Sequence, residues 1–157
     1  MSKLSKEQIE EFFDKHLPYR NQVLTAHRKL CAPGAYVGDQ AILRACFEAS
    51  LVAGRIYLNV LGIRKSRRGQ LEANRFRPDD VSAEDLGGKL IDVNSLPSSD
   101  KDLVIGFLGM ADNAAAHLTL PAKHPWERTH EAIDRILHYL RANLYIPTGH
   151  VMDIQVP

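Results

Sequence analysis

From residue 5 onward, apolar residues recur every three or four positions, the spacing of a helix that buries one face. The first stripe, Ile9, Phe12, Phe13, Leu17, Val23, Leu24 and Leu30, predicts a helix over about 5–31. Ser5 suits its N-cap, and Glu7 and Glu10 suit the positive helix start. Pro18 lacks an N–H and crowds the preceding turn, so a kink or split is expected there. "APGAYVGD" (32–39) is a turn with Pro33 and Gly34 as breakers. A second helix is expected over about 39–63, where only Arg44, Glu48 and Arg55 are charged. A helix this apolar predicts the most enclosed position, with Val52 and Ile56 in the core. Ala53 and Gly54 leave room for a close helix contact there.

Residues 64–98 lose the helical period. "RKSRRGQLEANRFRPDD" is basic, and "VSAEDLGGKLIDVNSLPSSD" offers a helical turn at 82–86, a Gly-Gly break and an extended piece near Leu90–Val93. The whole stretch reads as a long loop of the kind that is often functional or mobile. The period returns in Leu103, Val104, Phe107, Leu108, Ala111, Ala114, Ala115 and Leu118, a third helix over about 99–120. Trp126, Ile133, Ile136, Leu137, Leu140 and Leu144 mark a fourth over about 125–144, with Pro125 near its first turn. "YIPTGHVMDIQVP" reads as an extended tail lying on the helices. These patterns predict an all-α chain: an antiparallel four-helix up-down bundle with a long loop, 64–98, between helices two and three. Residues 1–157 are expected to form a single helical domain.

Composition narrows the function classes. At 45% hydrophobic and 25% charged, the chain suits a folded soluble domain. Its net charge is +1, so affinity for nucleic acid would need a local patch. Cys31 and Cys46 form no CxxC pair and are expected as buried free thiols in a reducing cytoplasm. The charged start is not a signal peptide, and no apolar run approaches the roughly 20 residues that cross a bilayer. A cytoplasmic protein with no membrane partner is expected.

Several ionisable residues fall on apolar stripes. Arg20, Val23, Leu24 and His27 share one helical face. A buried charge is costly unless paired, so Arg20 calls for a partner such as Glu48, with Arg55 near the same face. A structural ion pair and a core histidine with a backbone partner explain these positions more simply than a catalytic site does. Asn113 and His117 lie one turn apart and project to one side of the third helix, where the histidine could transfer protons near neutral pH. His130, Asp134 and His138, at i, i+4 and i+8, lack further ligands and are expected to face solvent. No metal site and no cofactor is expected. The basic run offers Arg64, Lys65, Arg67, Arg68 and Arg75 to phosphates, with Phe76 available for base stacking. A solvated loop neutralised by the acids that follow explains the same run.

"ADNAAAHLT" resembles the signature of HEPN domains, helical domains linked to nucleic acid in prokaryotic toxin and defence systems. Asn113 and His117 match that motif's Asn and His, and Asp112 stands where its Arg would be. A second match, "RNQVLTAHRKL", supplies Arg20, Asn21 and His27 on the first helix. The resemblance implies metal-independent RNA cleavage, with the histidine activating a ribose 2′-hydroxyl and an arginine holding the phosphate. It also implies a homodimer whose two motifs line one cleft. His117, Asn113, Arg20 and His27 are thus the candidate catalytic residues. The alternatives are a non-catalytic dimeric interaction protein and a bundle that binds a small molecule or metal.

Overall fold

The structure, a computed structural model, describes residues 3–116 and 126–154. It is mainly helical, with a small antiparallel hairpin that interrupts the all-α expectation. The first helical run is α1 (Lys6–Glu11), a π turn (Phe12–His16) and α2 (Leu17–Leu30). Next come α3 (Gln40–Val60), strands β1 (Ile63–Lys65) and β2 (Leu71–Ala73), and a 3₁₀ turn (Val93–Ser95). The chain continues with α4 (Ser98–Ala116), α5 (Trp126–Leu140), a second π turn (Arg141–Tyr145) and a last helical turn, α6 (Ile146–Thr148). α3 packs against α2, α4 and α5.

Ser5 and Gln8 close a reciprocal capping box at the start of α1. Pro18 does not break the run that follows. The turn before it widens instead, and the Leu17 N–H reaches back five residues to the Phe12 carbonyl. The same device recurs one residue before Pro147, where the Ile146 N–H reaches the Arg141 carbonyl. A proline offers no N–H to the carbonyl four residues back and pushes on it. One wide turn beforehand absorbs both effects. The expected tail is therefore helical through Thr148.

The core holds Leu24, Leu51, Leu58, Phe107, Ile133, Ile136, Leu140 and Leu144. Gly54 permits its closest helix contact: a Cβ there would lie 2.4 Å from Cζ of Phe107 on α4. Only the second half of α3 is enclosed. Its first half is largely exposed, and Val52 is 41% exposed, so the expectation that Val52 is a core residue is corrected. The inward face there is Ser50, Leu51, Ala53, Gly54, Tyr57 and Leu58. At the centre of the core, the Tyr57 hydroxyl donates to Asn21 Oδ1 (2.6 Å) and lies 3.0 Å from the Leu17 carbonyl. Asn21 Nδ2 donates in turn to the Tyr145 hydroxyl at 2.9 Å. Burial, then the neighbouring Tyr145, pushes the Tyr57 hydroxyl far above the ordinary phenol value.

The 64–98 stretch is not a free loop. Its hairpin pairs Ile63 with Ala73, Arg64 with Glu72 and Lys65 with Leu71. Beyond β2 the chain returns to the end of α3. The carbonyls of Val60, Leu61 and Gly62 accept from the N–H groups of Ala83, Ile91 and Asn74, at 2.8, 2.9 and 2.8 Å. The expected helical turn at 82–86 is a turn closed by Ser82 and Asp85. Among the described residues, no helix is long and apolar enough to cross a membrane.

Tyr57→Phe leaves Asn21 Oδ1 without its donor in the core. The expected cost is about 1–3 kcal/mol, read by urea unfolding, with helical content unchanged. A loss within experimental error would show that the buried chain of hydroxyl and amide groups contributes nothing.

Candidate functional site

A cleft of about 680 Å³ opens where five parts of the chain meet. α1–α2 and their π turn bring Phe12, His16 and Arg20, and α3 brings Arg55 and Asn59. β1 brings Arg64 and Lys65, the segment after β2 brings Arg75, Phe76 and Arg77, and α4 brings Leu108 and Asp112. Six cations (Arg20, Arg55, Arg64, Lys65, Arg75, Arg77) stand against three carboxylates (Asp79, Asp80, Asp112). A chain of nearly balanced charge thus concentrates positive charge in one concave place.

Part of that charge is already answered. Asp112 lies 3.0 Å from Arg55 Nη1 and 2.7 Å from Lys65 Nζ. Arg64 Nη2 lies 2.6 Å from Glu72 Oε1, its cross-strand neighbour. The Nε of the same arginine is buried with no acceptor among the described residues. Among the described residues, Arg20, Arg75 and Arg77 have no ion pair. The expected answer to Arg20, Glu48, is exposed and lies on a different cavity.

The candidates from the sequence therefore divide. Arg20, Arg64, Lys65 and Arg75 converge on the cleft. Arg67 and Arg68 project from the exposed hairpin tip, between Ser66 and Gln70, and do not line it. Asn113 is exposed at the residue after Asp112. His117 lies outside the described residues. His27 lines the second cavity, so it does not share a site with Arg20. Asn21, between them in the second motif match, spends its amide on Tyr57 and Tyr145. Arg55 and Arg77 complete the cleft. Arg77 belongs to the same basic run in the sequence, and the return of the chain to α3 places it on the cleft.

His27 is 1% exposed. Its Nδ1 lies 3.2 Å from His130 Nε2 and its Nε2 lies 3.2 Å from Cys31 Sγ. Its ring meets Phe47 edge-on at 5.0 Å. Burial, then the charge of His130, holds its pKa below the ordinary histidine value. Asp134 pairs with Arg28, and His138 is exposed. Among the described residues, no group of three His, Cys, Asp or Glu side chains could hold a metal ion. Both cysteines are free, as expected, but Cys31 is exposed and Cys46 half-buried.

His27 predicts a pH dependence of stability. The folded chain binds this proton less readily than the unfolded chain does. Its contribution is complete above the ordinary value of 6.5 and declines as the pH falls below it. Charges on Arg28, Arg44, Glu48, His130 and Asp134 act on the same region. Between about pH 8 and about pH 5, thermal unfolding of the wild type should lose more stability than that of His27→Gln. Equal losses would contradict the assignment.

Comparison with protein-family models, with curated proteins and with solved structures finds no match to this chain.

Proposed function

We propose that this chain is a HEPN-like, RNA-binding helical protein that grips the phosphate backbone in the basic cleft. The observation that carries this reading is the set of cations left for a ligand. Among the described residues, Arg20, Arg75 and Arg77 lack ion pairs and the buried Arg64 Nε lacks an acceptor. Guanidinium groups match phosphate in planar, two-pronged fashion, and a buried N–H without an acceptor favours a ligand that brings one. Phe12 and Phe76 on the same cleft offer rings on which bases stack. In this reading the scaffold is an antiparallel four-helix up-down bundle, and the protein works in the cytoplasm. His117 is the general base that the resemblance assigns, and Asp112 restrains Arg55 and Lys65 until phosphate displaces it.

The test is the affinity for a fluorescently labelled single-stranded RNA across a salt series. Log affinity should fall linearly with log salt. Arg20→Ala with Arg75→Ala and Arg77→Ala should flatten the slope by about 0.7 for each phosphate that is no longer neutralised. Asp112→Asn releases two cations and should tighten binding by about 1 kcal/mol, roughly fivefold. If the site also cleaves, His117→Ala should slow cleavage by roughly 10² to 10⁴ with little change in affinity. No binding at low salt, or binding indifferent to the arginines, would overturn the reading.

The homodimer belongs to the same proposal. Ile42 (50% exposed) and Val52 (41% exposed), with exposed Ala45 and Ala49 between them, form a stripe on one face of α3. Light scattering should give twice the 17.6 kDa chain mass, and Val52→Asp should halve it. A wild-type mass near 17.6 kDa at micromolar concentration would remove the dimer.

A further inference from the structure

The second cavity, about 690 Å³, holds a different set of groups, whose chemistry is independent of RNA binding. Cys31 follows the last residue of α2 and is exposed. His27, one turn earlier, brings Nε2 to 3.2 Å from Cys31 Sγ. Its other nitrogen, Nδ1, lies 3.2 Å from Nε2 of His130 on α5. The sulfur lies beside the buried imidazole, 3.2 Å from Nε2 and 4.0 Å from Nδ1, and the second imidazole meets that ring at Nδ1. All three line the cavity, together with Ala41, Leu43 and Ala45 of α3 and, on the same helix, the polar Gln40, Arg44 and Glu48.

We propose that Cys31, His27 and His130 form a nucleophile, base and orienter that take an acyl group from a small apolar ester or thioester. The order of the three groups sets their roles. When His27 Nε2 accepts the S–H, the ring proton sits on Nδ1 and donates to His130 Nε2. That bond fixes the tautomer and steadies the imidazolium that forms in the reaction. Cys31 Sγ attacks the acyl carbon as its proton passes to His27 Nε2, forming an S–C bond. The bond to the leaving alcohol or thiol then breaks, and His27 returns the proton to that group. Water, deprotonated by His27, next cleaves the thioester, releases the carboxylic acid and restores the thiol. Ester and water are consumed, and acid and alcohol are produced.

Two further observations fit this chemistry. Ala41, Leu43 and Ala45 give the acyl chain an apolar seat beside the thiol. Burial of His27 keeps the ring neutral at neutral pH, the form in which it accepts a proton. Here Cys31 and His27 act on the reacting atoms, whereas His130 is a positioning residue.

The test uses p-nitrophenyl acetate on the full chain, with release of p-nitrophenolate followed by peptide mass spectrometry. Cys31 should become acylated in the folded protein roughly 10²-fold faster than in the urea-unfolded chain, and faster than half-buried Cys46. Cys31→Ser should abolish the fast phase. His130→Ala, with unchanged circular dichroism, should slow it roughly tenfold. His130→Gln, whose amide oxygen still accepts from Nδ1, should restore most of the rate. If either His130 variant fails to fold, the ratio of folded to unfolded rates at Cys31 decides alone. Acylation of Cys31 no faster in the fold than in urea, or a folded His130→Ala with the wild-type rate, would overturn the proposal.

Discussion

A helix ends with carbonyls that its own turns cannot satisfy, and α3 ends in the middle of this molecule rather than at its surface. Leu61, Gly62 and Ile63, just past that end, are buried, so water is a poor partner for the groups there. The chain solves this with its own later segments. Asn59 O accepts from the Gly62 N–H and from Asn74 Nδ2, at 3.0 and 3.2 Å. Val60, Leu61 and Gly62 accept from Ala83, Ile91 and Asn74. Four consecutive carbonyls thus recruit three separate parts of the 74–91 stretch. Arg75, Phe76 and Arg77 follow directly from Asn74, so the same bonds that finish α3 form one wall of the basic cleft. Gly62, at φ +90°, makes the reversal that sends β1 away from the helix.

The opposite wall depends on how α1 and α2 are held. The Pro18 turn would be an awkward place to anchor a helix if the chain kinked there. The wide π turn keeps the run continuous and leaves Phe13 buried, with its ring stacked on His150 and edge-on to Tyr145 of the second π turn. Asn21, Tyr57 and Tyr145 then tie α2, α3 and that turn together through buried hydrogen bonds. Such a chain holds only one registry, because a shift of any member leaves a polar group unpaired in the core. Arg20, beside Asn21 in sequence, is thereby fixed on the cleft.

The long amphipathic segments are legible from spacing alone, as is the close approach at Gly54. The basic run, too, announces part of the cleft. What the sequence hides has physical causes. Strands of three residues are too short to display a period of two, so the hairpin reads as loop. Val52 belongs to an apolar run, yet one helix face must look outward, and the run does not say which. Asp112 looks like a defect in a motif, whereas it closes two ion pairs with residues far away in the chain. Arg77 and His130 reach their cavities only through tertiary packing. Of the Cys31–His27–His130 group, only the four-residue spacing of the first two is visible in the sequence.

The end of α3 organises the 74–91 stretch as part of the fold. Native-state hydrogen exchange at the amides of Asn74, Ala83 and Ile91 tests it most directly. These three donate to the carbonyls at the end of α3 and should exchange with protection close to that of the core amides of α3, such as Leu58. The hairpin-tip amides of Arg67 and Arg68, which cap nothing in the helix, should exchange far faster. Exchange at Asn74, Ala83 and Ile91 as fast as at that tip would contradict the account, because the cleft would then lack a fixed wall.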